Sequence, residues 1–177
     1  MNRKSKSKSP LCLLAGLLFL VLTISGCKTN SDVQVDPSGS LLSYNGCKQF
    51  QDNIRLSRSM AGQGSDCLEY QYNGRNTLVL KHVNAAFNCC PGEIVADIEF
   101  TGNTITITEN EKEYGCRCIC LFDLDFEVNN LLPGTYTIRV VEPYVENSDQ
   151  VIQFTVKLHG TLSATYCLER NYYPWGP

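Results

Sequence analysis

The chain has 177 residues, 43% of them hydrophobic, and 10 cysteines. It is long enough for one domain with a buried core, and so many cysteines suit an oxidising compartment better than a reducing cytosol. The 15 Lys+Arg and 18 Asp+Glu give a formal charge of −3, and the more acidic charge left by the N-terminal cleavage described next argues against nucleic acid or anionic lipid headgroups as partners.

The N-terminus explains the compartment. Arg3, Lys4, Lys6 and Lys8 make a basic start, Leu11 to Ile24 is an apolar run, and Ser25, Gly26 and Cys27 follow. This is the pattern of a secretory signal peptide over residues 1–26, with an apolar run short for a membrane span. The segment Ile24-Ser25-Gly26-Cys27 resembles the lipobox of bacterial lipoproteins. The resemblance implies cleavage before Cys27, a diacylglycerol thioether on its sulfur, and an acyl chain such as palmitate on its new amino group. Two or more chains anchor a protein stably where one does not. Lys28 rather than Asp follows Cys27, which by analogy with the sorting rule points to the outer membrane and leaves the face open. Cleavage removes four of the 15 basic residues and no acidic one, so 11 face 18 and the mature charge is −7.

Lys28 to Ser43 is polar, with Pro37, Gly39 and several serines. It reads as a flexible tether, so that residues 27–43 join the lipid to a domain over 44–177. Tyr44 to Asp66 has Cys47 and Cys67 at its ends, with a short helix expected around Lys48 to Leu56. Strands follow. Cys67 to Tyr72 leads into the Asn73-Gly74 hairpin signal and then Asn76 to Asn84. Pro91-Gly92 marks a turn into Glu93 to Phe100, where Ile94, Ala96, Ile98 and Phe100 share a face. A turn at Thr101-Gly102-Asn103 precedes Thr104 to Glu109, and the charged stretch Glu109 to Gly115 connects onward.

Gly115 to Asn129 reads as one long central strand. Cys116, Cys118, Cys120, Phe122, Leu124, Phe126 and Val128 share one face. Arg117, Asp123, Asp125 and Glu127 share the other, with Ile119 and Leu121 among them. Leu132-Pro133-Gly134 turns the chain into Thr135 to Glu142. After a turn at Asn147-Ser148-Asp149 come Val151 to Leu158 and then Leu162 to Glu169.

Eight short strands without an amphipathic helix make an all-β, antiparallel sandwich, since parallel pairs would need crossover helices. Leu131 to Tyr136, followed by Ile138 and Val140, resembles the tyrosine corner of immunoglobulin-like sandwiches. That resemblance implies a bond from the Tyr136 hydroxyl to the connection before its strand. The fold expected is an antiparallel immunoglobulin-like β-sandwich with disulfides. The order FNCCPG, TITITE, CRCICLFDLDFEV, LPGTY is similar to a group of small secreted lipoproteins of gut-type bacteria. That group has no assigned activity and lends no site residues.

Apart from Cys12 and Cys27, eight cysteines remain: Cys47, Cys67, Cys89, Cys90, Cys116, Cys118, Cys120 and Cys167. An even count in a secreted domain favours full pairing, in one of 105 ways. Residues two apart on a strand sit about 6.5–7 Å apart with parallel Cβ vectors, at or beyond disulfide reach. Cys116, Cys118 and Cys120 therefore pair outward. Cys89 or Cys90 takes one, and Cys47, Cys67 or Cys167 take the others. The alternative is a zinc or copper site built from these three thiolates with Cys89 or Cys90. A strand splays sulfurs along a line instead of closing them around an ion, and free redox-active thiols are the remaining reading, without a C-x-x-C to support it.

His82 and His159 are expected on a solvated strand face or beside a turn, and no nucleophile motif accompanies them. Asp123, Asp125 and Glu127 could hold calcium or act as acid and base, but the simpler reading is a solvated face. Tyr172, Tyr173 and Trp175 fold back over the sandwich or contact a partner. The function expected is a non-catalytic, lipid-anchored envelope module, binding or structural, for a protein or glycan partner. No cofactor and no nucleic acid partner are expected. The alternatives are a metal-handling protein using Cys116, Cys118 and Cys120, and an envelope hydrolase.

Overall fold

Apolar residues at every second position become the inner faces of two sheets. The computed structural model describes residues 35–48, 64–145 and 151–170, all within the compact unit Gln34–Pro177. Among them are nine strands: β1 Ser38–Tyr44, β2 Ser65–Asn73, β3 Leu78–Asn88, β4 Ile94–Thr101, β5 Thr104–Glu111, β6 Ile119–Asn129, β7 Gly134–Val141, β8 Ile152–Leu158 and β9 Thr161–Glu169. One sheet has the order β1-β6-β3-β2-β9 and the other β4-β5-β7-β8. The fold is the expected all-β sandwich. The Tyr136 hydroxyl donates to the Leu132 carbonyl at 2.9 Å, closing the tyrosine corner.

Three expectations are corrected. First, Ser38 to Ser43 is not tether but part of β1, which pairs antiparallel with β6 from Ser38↔Asn129 to Tyr44↔Leu124. Its composition carries little strand signal, and the pairing comes from the backbone edge that β6 offers. Gly39 lets β1 approach closely, since a Cβ there would meet the Ile98 side chain at 2.7 Å. Second, β5 and β7 pair in parallel, Thr104↔Thr137 to Thr108↔Val141. No crossover helix is needed because the intervening chain passes through the opposite sheet as β6. Third, the cysteine strand is shorter than expected. β6 begins at Ile119, so Cys116 and Cys118 precede it, and it lies between β1 and β3.

The inner face of β6 is as expected. Cys120, Phe122, Leu124, Phe126 and Val128 are all buried, and Phe122 meets Phe87 edge-on at 5.8 Å between ring centres. Leu121, on the outer face, is buried too, against Ala86 and Val145. Phe126→Ala is expected to cost about 3–5 kcal/mol in a urea titration, and Asp125→Asn within about 0.5 kcal/mol. Full stability of Phe126→Ala would show the strand's faces to be reversed.

A β-bulge in β3 keeps the inward face continuous. Register shifts between Val83 and Ala85, and Asn84 there has φ of 73°, a conformation Asn tolerates better than most residues. Before the bulge Leu78, Leu80 and His82 face inward, and after it Ala85 and Phe87 do. The backbone N–H of Asn84 donates to Asp123 at 3.1 Å, and Lys48 Nζ donates to its side-chain oxygen at 2.6 Å.

The helix expected from Lys48 and the turn at Asn147 lie outside the described residues, except Lys48 itself. So do the aromatic tail and Cys27.

Candidate functional site

Two chemically distinctive places emerge, one of sulfur and one of buried charge. All eight cysteines of the domain pair: Cys47–Cys120, Cys67–Cys167, Cys89–Cys118 and Cys90–Cys116. Their Cα atoms are 5.7, 4.1, 5.6 and 5.4 Å apart, respectively. The outward pairing of Cys116, Cys118 and Cys120 is as expected. Both Cys89 and Cys90 take part, whereas Cys67 and Cys167 bond to each other. The segments around Cys89 and Cys118 run side by side, with the Cys89 N–H donating to the Cys118 carbonyl at 3.0 Å. Asn88 clasps them, its Nδ2 on the Cys116 carbonyl at 2.7 Å and its Oδ1 accepting from the N–H groups of Cys90 and Cys116. Sulfurs committed to disulfides offer no thiolate to a metal, so the three-cysteine metal site has no support in this arrangement.

The charged cluster was missed by sequence reasoning. His82 is not on a solvated face but fully buried in β3. Its Nδ1 lies 2.7 Å from Glu109 Oε1 on β5, and its Nε2 lies 2.6 Å from Asp66 Oδ1 on β2. Arg170, just after β9, donates from Nε to Asp66 Oδ2 at 2.9 Å and from Nη2 to Glu142 Oε1 at 3.0 Å, and it also ion-pairs with Asp66 through Nη2. Glu142 directly follows β7. Strands of both sheets thus contribute to one charged knot inside the sandwich. Asp66, Glu109 and Glu142 are at most 2–4% exposed.

The surroundings set the protonation. Burial alone would keep His82 neutral, yet Glu109 and Asp66 raise its pKa well above the usual imidazole value. Burial pushes the Asp66 carboxyl up, but His82 and Arg170 outweigh it and hold the pKa below the usual range. Burial raises Glu109 against the opposing pull of His82. Glu142 is raised well above the usual range by burial and then by the Asp66 charge, with Arg170 opposing. The cluster therefore holds protons readily. Glu109 Oε2 and Glu142 Oε2 are buried without a hydrogen-bond partner.

The other candidates are ordinary. His159 is exposed in the β8–β9 turn. Asp123 ion-pairs with Lys48, Asp125 accepts from Ser43 at 3.0 Å, and Glu127 accepts from Asn129 at 2.7 Å. These three carboxylates are half-buried and individually partnered, so they do not form a common site.

Fold and site together define a disulfide-stapled β-sandwich with a charged knot in its interior. No family model, curated protein or solved structure matches the chain.

Proposed function

We propose that this is a lipid-anchored cell-envelope protein acting as a non-catalytic binding or structural module. The observation that carries the reading is the set of four disulfides within one small sandwich, as suits an oxidising compartment. The basic start, apolar run and Ile24-Ser25-Gly26-Cys27 supply the anchor. The outer face of the larger sheet offers a binding surface, with Glu69, Val79, Asp125 and Glu127 on adjacent strands β2, β3 and β6. Val79 is 42% exposed. A hydrolase needs an accessible base, whereas both ring nitrogens of buried His82 are engaged by carboxylates.

Membrane fractionation and intact mass of the full chain expressed in a bacterium test the anchor. The wild type is expected in the membrane fraction, with the mass of a lipidated chain starting at Cys27. Reduction is expected to add the mass of eight hydrogens. Cys27→Ala should move the protein to the soluble fraction or leave it uncleaved. A Cys27→Ala protein that remains processed and membrane-bound would overturn the reading.

A further inference from the structure

We propose that the buried cluster is a site for one first-row divalent cation of the zinc type, held by His82 Nε2, Asp66 and Glu142. Donor atoms of these three residues lie within 4.8 Å of one another. All three are buried. Zinc takes imidazole nitrogen and carboxylate oxygen at about 2.0–2.2 Å, so modest side-chain adjustment brings the donors around an ion.

Three further observations point to an ion and not merely to a salt-bridge network. Glu142 Oε2 is buried with no hydrogen-bond partner, which is costly for a carboxylate oxygen. A cation supplies what it lacks. His82 is also oriented as a metal ligand. Glu109 Oε1 holds Nδ1 at 2.7 Å and turns Nε2 toward Asp66, the carboxylate–imidazole–metal order in which an outer carboxylate fixes the tautomer and the ring. Finally, the knot gathers the carboxyl groups of Asp66, Glu109 and Glu142 with the guanidinium of Arg170, which engages Asp66 and Glu142. With a neutral imidazole, a divalent cation brings the knot to electrical neutrality.

Arg170 fits this assignment. It engages Asp66 Oδ2 and Glu142 Oε1, leaving Glu142 Oε2 for the ion, while Asp66 Oδ1 bonds to His82 Nε2 at 2.6 Å and would exchange that contact for the ion. Its side chain is 6% exposed, against 0% for Asp66 and 1% for Glu142. It is the member of the knot nearest solvent, and an ion would enter past it. The mixed nitrogen and oxygen donor set favours zinc or a neighbouring transition ion over calcium or magnesium. The proposal is independent of the lipid anchor and of the binding role.

The test uses the disulfide-intact protein, stripped with a chelator and titrated with zinc or cobalt(II). Bound metal is quantified by mass spectrometry, and the thermal midpoint is followed. One equivalent of zinc is expected, with a midpoint several degrees higher at saturation. The cobalt form should show d–d absorption without a thiolate charge-transfer band. Glu142→Gln should weaken zinc binding at least tenfold, and Glu109→Gln about 10–100-fold as an orienting partner. If Glu142→Gln does not fold, the cobalt spectrum of the wild type decides. Absence of a bound equivalent, a thiolate band, or undiminished binding by folded Glu142→Gln would each overturn the proposal.

Discussion

Serine at both Cys67 and Cys167 is expected to lower the stability of the domain by about 4–5 kcal/mol with the other three bridges intact. The two cysteines are directly opposed on β2 and β9, 4.1 Å apart at Cα and 100 residues apart in sequence. In the chain-entropy treatment a bridge stabilises by restricting the unfolded chain, and a loop of roughly 100 residues is worth about 4.7 kcal/mol. Cys90–Cys116 spans only 26 residues, and Cys89–Cys118 already holds the ends of that loop together, so the same treatment gives its removal only about 2 kcal/mol. Denaturant titration of the two double-serine variants, side by side, measures the difference. A smaller loss for Cys67/Cys167 than for Cys90/Cys116 would show that loop length is not what decides.

His82→Leu is expected to cost about 3–5 kcal/mol at neutral pH in chelator-treated protein, because it leaves buried carboxylates without their cation. The same change at exposed His159 should stay within about 0.5 kcal/mol. The pH dependence carries a sign that separates this account from simple packing loss. His82, Glu109 and Glu142 all have folded pKa values raised above their unfolded ones. Their stabilisation is present below the unfolded values, 6.5 for His82 and 4.5 for the glutamates, and is lost as pH rises through the folded values. Asp66 is lowered, so its contribution is present above 3.8 and lost as pH falls. Arg170 supports Asp66 through its guanidinium. The metal-free wild type should thus be more stable at about pH 5 than at about pH 8, and His82→Leu should flatten that slope. A thermal midpoint that climbs from acid to alkali would contradict the assignment.

Much of the sandwich was legible. The alternation in Ile152 to Leu158, in Thr104 to Glu109 and in Phe122 to Val128 placed strands and their inner faces, because burial on one face imposes a two-residue period. The tyrosine corner was legible from the residues around Pro133. The charged knot was legible in principle by the same rule carried further. Ile105 and Ile107 continue to Glu109, Ile138 and Val140 to Glu142, Leu80 to His82, and Leu68 back to Asp66. Each polar residue sits in step with an inward apolar face. Chemical type overrode position in that reading, since charged residues are rarely buried unless paired. What could not be read was which strands meet across the sandwich, and therefore that these residues pair with one another. The β1 strand was illegible for another reason. Its sequence is serine-rich, and only the exposed edge of β6 makes it a strand. The disulfide partners depended equally on tertiary proximity. Strand geometry excluded bonds among Cys116, Cys118 and Cys120, but not the choice between Cys47, Cys67 and Cys167.

The passage of the chain through the opposite sheet between β5 and β7 has a consequence for how the protein is made. The parallel β5–β7 seam cannot be completed from neighbouring segments, because β6 must first be laid down on the far side of the core. Contacts so distant in sequence make folding slow. Meanwhile Cys67 emerges 100 residues ahead of Cys167, and five other cysteines pass while it waits. Refolding of the reduced chain, in which eight cysteines can pair in 105 ways, should likewise accumulate mispaired isomers that resolve over minutes to hours, and a disulfide isomerase should shorten that phase. The bridge that contributes most to the finished domain is also the last that can form.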